Sequence, residues 1–193
     1  SRQHRRMSHR PGDRDARWRT HGERLVYESE WMSMALVDVE TPSGRRFEHH
    51  AVRYPQPAVG ALVVVDGAVL MLWRHRFITD TWGWEVPAGR VEAGESVAEA
   101  ARRETLEESG WEPGPTTPVV SWHPANGSAD MRFHVERATT AVHLGDPVDP
   151  DESARVEWVP LDEVASLLRA GRFGDGLSVV ALLAELAGLP GEP

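Results

Sequence analysis

Cysteine is absent from this 193-residue chain, and so is lysine. Without cysteine there is no disulfide, no thiolate metal site and no thiol nucleophile. Without lysine there is no Schiff base and no ammonium of the kind that P-loops place on phosphates; all twenty-one basic residues are arginine. No apolar run approaches the roughly eighteen residues a membrane span needs, and no signal peptide is visible. The expectation is therefore a soluble, cytoplasmic protein with no membrane partner. The length suits one domain with an appendage and allows a real core.

The net charge of −9 is unevenly spread. Residues 1–24 hold eight arginines against Asp13, Asp15 and Glu23, a local +5 that leaves −14 for the rest. Residues 1–22 have almost no apolar side chains to anchor them, so they read as a basic, disordered arm. Such an arm suits a polyanion, but the acidic body argues against nucleic acid as a partner. From residue 23 to 54 the pattern is β-like. LVYESEW, MALVDVET, a turn at Pro42-Ser43-Gly44 and RFEHHAVR describe a small hairpin unit ahead of the main domain. His49 and His50 are adjacent on a strand and point to opposite faces, so with His75 they make no convincing metal site.

The main domain, residues 55–190, opens with AVGALVVVDGAVLMLWRHRF. Asp66-Gly67 is a strong hairpin turn between two strands. Val63, Val64, Val65 and Leu70 belong to near-continuous apolar runs, which require cover on both faces of the sheet and hence a layered α/β arrangement. PVVSWH and MRFHVERA read as strands around the loop 124–128, RVEWVPL as another, and helices are expected near 161–170 and 176–188.

Between them lies GRVEAGESVAEAARRETLEESGW, residues 89–111. Ser96 and Glu99 form a capping box, each side chain satisfying a backbone N–H that lacks an intrahelical partner. Gly110 and Pro113 end the helix, which is expected over 97–109. Glu104, Glu107 and Glu108 sit three and four residues apart, on one side of that helix. Like charges so placed repel, and a hard divalent cation is the simple remedy; magnesium accepts carboxylates while keeping sites for water and phosphate oxygens. A solvated acidic face is the alternative for any one glutamate-rich helix. The full spacing, G-x5-E-x7-R-E-x-x-E-E-x-G, weighs against it, because a given window matches by chance about once in 10^8 at ordinary residue frequencies.

That spacing, carried by Gly89, Glu95, Arg103, Glu104, Glu107, Glu108 and Gly110, resembles the signature of the Nudix hydrolases, which act on nucleoside diphosphates linked to another group. Thr105 stands where the family usually has an aliphatic residue, and Trp111 closes the box. The approach W-E-x-P-A-G in Trp84, Glu85, Pro87, Ala88 and Gly89 resembles the ADP-ribose pyrophosphatase branch, as do Arg76 and Pro124. The Asp-Glu pair common in that branch is Asp130-Met131 here.

The resemblance implies an α/β/α sandwich with a mixed sheet, preceded by the small N-terminal β unit. It implies magnesium, with manganese as a substitute, bound by Glu104, Glu107, Glu108 and the carbonyl of Ala88. Glu107 and Arg103 count among the catalytic residues, with Arg103 and Glu95 bracing the loop and helix through an ion pair. Arg76 and Glu85 hold the substrate, and Tyr27 or Trp31 stacks on a nucleobase, across a homodimer. Glu152, in the acidic segment 145–152, is the expected general base, with Asp151 and Asp149 as alternates. The reaction implied is hydrolysis of a nucleoside diphosphate derivative such as ADP-ribose. Dinucleotide polyphosphates, nucleoside triphosphates and a non-hydrolytic sensing role stay open.

Overall fold

The structure is a computed structural model, and it describes residues 17–148 and 153–189. The chain divides into two compact units, Ser1–Arg53 and Tyr54–Pro193.

The first unit is an antiparallel sheet of β1 (Arg19–Glu28), β2 (Ser33–Glu40) and β3 (Arg46–Arg53), in that order. Val37, Val39 and Ala51, with Phe47 against them, form its small core. The sheet has one strand more than a hairpin, and the expected boundary of the basic arm at residue 22 falls inside β1. Its C-terminal end is the LVYE already read as β-like, whereas the residues before it show no alternation to betray them, all ten of the strand being exposed. Backbone pairing along β2, with register shifts after Thr20 and Leu25, defines it instead.

The second unit holds β4 (Ala58–Val65), β5 (Ala68–Arg76), β6 (Thr81–Glu85), β7 (Ala88–Arg90), α1 (Val97–Ser109), β8 (Trp111–Pro113), β9 (Thr116–Trp122), β10 (Phe133–Ala138), β11 (Ala141–His143), β12 (Arg155–Pro160), α2 (Leu161–Arg169) and α3 (Gly176–Leu186). The main sheet runs β12-β5-β4-β10-β9, with β6 on the edge of β5 and β7 on β4. Among the described residues only β4 and β10 pair in parallel, which makes the sheet mixed. Asp66 and Gly67 both have positive φ, 49° and 78°, and Val65 faces Ala68 across them. This is the two-residue turn whose twist matches that of the strands it joins.

Alternation along β4 and β5 splits the core into two layers. Leu62, Val64, Val69 and Met71 pack with Val164 of α2 and Leu177, Ala181 and Leu182 of α3. Val59, Ala61, Val63 and Leu70 pack with Ala100 and Ala101 of α1 on the other face. The result is an α/β/α sandwich. Fully burying one such leucine or valine contributes about 1.5–3 kcal/mol, so the central hairpin anchors both layers. The ion pair of Arg137 on β10 with Glu185 on α3, at 2.7 and 2.8 Å, fastens the outer helix to the sheet. Among the described residues no helix is long and apolar enough to cross a membrane.

Candidate active site

The glutamate-bearing helix starts and stops as its sequence requires. Ser96 and Glu99 close a reciprocal capping box, and Gly110 adopts a left-handed conformation as the cap, its N–H on the carbonyl of Leu106. Just before the helix, β7 pairs with β4 and sets Ala88 and Gly89 against it. A Cβ at position 89 would collide with the Glu104 carboxylate. The glycine is therefore a cradle for that side chain, which is a steric reason for glycine here rather than a conformational one.

The three glutamates sit at graded depths. The Glu107 side chain is about half exposed, that of Glu104 is largely buried, and only 4% of Glu108 is accessible. Glu108 accepts hydrogen bonds from Arg74 Nη2 at 2.7 Å and from the backbone N–H of Ala88 at 2.8 Å. Burial pushes its carboxyl up to about 7, and the neighbouring Arg74 charge and the Ala88 N–H offset this only in part. Arg103 donates to Glu95 through Nε and Nη2 at 2.9 and 3.0 Å, and through Nη2 to the carbonyl of Arg90 at 2.9 Å. Its Nη1 reaches Glu104 at 2.8 Å and Glu107 at 3.2 Å. One guanidinium thus ties β7, the loop and two helical carboxylates together. These bonds hold the Glu95 carboxyl below its ordinary range, the Arg103 bond contributing most.

Beside this cluster, Glu85 at the end of β6 is 4% accessible and held by Arg76, whose Nε donates to both oxygens at 2.9 and 3.1 Å while Nη2 binds one of them. The β6 edge is fixed by Trp84 N–H on the carbonyl of Arg172 at 2.9 Å. A further bond of 3.0 Å runs from Val86 N–H to Ser178 Oγ, itself held by the α3 cap Asp175. A cleft of about 380 Å³ opens here, lined among others by Arg76, Glu85, Thr81 and Asp175 and by Phe77 and Ile78. The last two are more than four-fifths exposed.

Of the residues singled out in the sequence, Ala88, Arg103, Glu104, Glu107 and Glu108 are brought together, with Arg76 and Glu85 beside them. Tyr27, on β1, and Trp31, in the following turn, belong to the first unit and are exposed. Glu152, Asp151 and Asp149 lie outside the described residues. Their described neighbours are anchored to the same helix and strand: Val148 N–H donates to the carbonyl of Glu107, and Ala154 N–H to that of Trp73, at 2.8 and 2.9 Å. Arg74 was not singled out. Its signal was a charge at an inward position, after Leu70 and Leu72 on the same face of β5.

Among the described residues no three acidic or histidine side chains converge to hold a metal ion as they stand. Arg103 engages Glu104 and Glu107, and Arg74 engages Glu108. The donor set nevertheless fits a hard divalent cation: three carboxylates and adjacent backbone, all oxygen donors, with the Gly89 cradle keeping Glu104 close to β7.

The chain is similar to several known proteins. The NUDIX domain matches residues 54–178. A Streptomyces rubellomurinus protein, CMP-5'-(N-acetyl-N-hydroxy-3-aminopropyl)phosphonate hydrolase, is 41% identical over 88% of this chain and 82% of its own. The ADP-ribose pyrophosphatase of Bacillus subtilis is 28% identical over 81% of this chain and 86% of its own. A crystal structure of an ADP compounds hydrolase superposes with a TM-score of 0.80 at 22% identity, covering 89% of this chain and 94% of that one, a likeness of fold. With the NUDIX match spanning most of the second unit and the glutamate helix built as its spacing requires, the chain belongs to the Nudix hydrolase family.

Proposed function

We propose that this enzyme hydrolyses the anhydride joining a nucleoside 5'-monophosphate to a second phosphorus-bearing group, with ADP-ribose or a related nucleotide sugar as the substrate class. The supporting observation is the graded set of Glu104, Glu107 and Glu108, held against Gly89 and Ala88 beside a cleft that carries Arg76 and Glu85. Magnesium or manganese bound by these glutamates and the Ala88 carbonyl would supply charge neutralisation on the non-bridging oxygens and an activated water.

The chain's own residues do the remaining work. Arg76, fixed by the buried Glu85, presents a positioned cation at the cleft, suited to the anionic half of the substrate. Arg103 and Glu95 keep the loop and helix in register, so the carboxylates are already in place when substrate arrives. Glu152 is proposed as the base that takes the proton of the attacking water. Tyr27 and Trp31 are proposed as nucleobase platforms in a homodimer.

A second reading has its own support. The Streptomyces relative acts on a CMP-linked phosphonate, so a phosphonate in place of a sugar phosphate is a direct rival for the leaving group. A panel of ADP-ribose, other nucleotide sugars, dinucleotide polyphosphates, nucleoside triphosphates and a CMP-phosphonate, each with magnesium or manganese, separates these readings. Release of a nucleoside monophosphate from one class at least tenfold faster than from the others is expected. Binding without turnover across the whole panel would overturn the enzymatic reading.

A further inference from the structure

Arg74 is the strongest feature that the site described above does not explain. It is 5% accessible, on the same face of β5 as the buried Leu70 and Leu72, where a strand ordinarily carries an aliphatic side chain. Two buried carboxylates flank it and are treated unequally. Nη2 donates to Glu108 at 2.7 Å, whereas Nε stands 3.9 Å from Glu85, beyond hydrogen-bond reach. Nε is consequently a buried donor without an acceptor. Such groups are rare, and each calls for a reason. Glu85 has Arg76 as its cation, while Glu108 has only Arg74 among the described residues. The guanidinium is thus aimed at Glu108 at the expense of its own Nε. Ser153 Oγ accepts from the same Nη2 at 3.1 Å and steadies that aim.

We infer that Arg74 is a positioning residue, which orients Glu108 for the divalent cation. The inference rests on the glutamates being cation ligands, as proposed above. With Arg74 on Oε1 and the Ala88 N–H on Oε2, each oxygen of Glu108 keeps a further lone pair for the ion. The carboxylate plane is therefore set before the ion arrives. Loss of such an outer partner typically weakens metal binding or activity about 10- to 100-fold.

The test measures manganese binding by electron paramagnetic resonance on the full chain without substrate, for the parent and for Glu108→Gln, Arg74→Gln, Arg74→Lys, Ser153→Ala and the double variant Arg74→Gln/Glu108→Gln. Arg74→Gln is expected to weaken binding about tenfold. Arg74→Lys, which keeps a donor and the charge, is expected to restore most of it. The double variant should bind no more weakly than Glu108→Gln alone, because Arg74 acts through that carboxylate. Parent-like binding in Arg74→Gln, or equal losses from Arg74→Gln in both backgrounds, overturns the inference. Should Arg74→Gln fail to fold, Ser153→Ala decides: a loss of about threefold supports the role, being smaller than the outer-partner range because Ser153 is one layer further out, and an unchanged affinity refutes it. Undiminished binding in Glu108→Gln is a separate result, which removes the metal assignment itself.

Discussion

Replacing Glu108 with glutamine separates stability from chemistry. Burial raises this carboxyl from 4.5 to about 7, a difference of roughly 2.5 units, or about 3 kcal/mol at 1.36 kcal/mol per unit. In the window between those values the folded state binds more protons than the unfolded state. Stability without cation is therefore highest below pH 4.5, falls as pH rises, and has lost this contribution above pH 7. An uncharged amide escapes that loss. Against this, Glu108 accepts from two donors, Arg74 and Ala88 N–H, and an amide oxygen paired with an NH₂ group satisfies only one of them well. A buried donor left unsatisfied costs about 1–3 kcal/mol. The two effects nearly cancel, so at pH 8 in chelator Glu108→Gln should match the parent within about 2 kcal/mol. Urea unfolding at pH 5 and pH 8 measures this, and the parent should show a fall with pH that the variant lacks. Turnover should drop by at least about 100-fold, and the rise in Tm on adding magnesium should largely vanish. A variant that keeps a tenth of the parent's activity, or the full rise in Tm, would refute the reasoning.

Two further substitutions test the proposed chemistry. Gly89→Ala drives a Cβ into the Glu104 carboxylate; turnover should fall about 100-fold through misplacement of that proposed ligand, and a parent-like kcat would show that the cradle is irrelevant. Glu152→Gln should lower kcat about 100-fold while manganese affinity stays at the parent value, and equal turnover across a pH profile would transfer the base role elsewhere.

The parts of the fold that could be read from sequence are those fixed by neighbours along the chain. Ser96, Glu99 and Gly110 specify the ends of α1 through contacts within a few residues, and Asp66-Gly67 specifies its turn through φ alone. The glutamate set was legible for the same reason, since three- and four-residue spacing on a helix is geometry. Glu85 stood out only by its place before Pro87-Ala88-Gly89. What escaped depends on pairs far apart in sequence. The partners of Arg74, Glu108 and Ser153, are 34 and 79 residues away, and no local pattern encodes which buried arginine meets which carboxylate. The pairing of β8 with β11 escaped because three residues per strand carry no periodicity. The early start of β1 escaped because a strand exposed on both faces has no apolar alternation.

The bonds of Arg103 to the Arg90 carbonyl, Glu95, Glu104 and Glu107 have a consequence for how such an enzyme can change its diet. Wherever one side chain clasps strand, loop and helix at once, no part of that frame can be altered alone without disturbing all of it. Any retuning toward a different leaving group must then be written in segments this clasp does not touch. Among the described residues these include the exposed tip around Phe77 and Ile78 and the segment at Gly174 and Asp175, which border the cleft and make none of the bonds of Arg103.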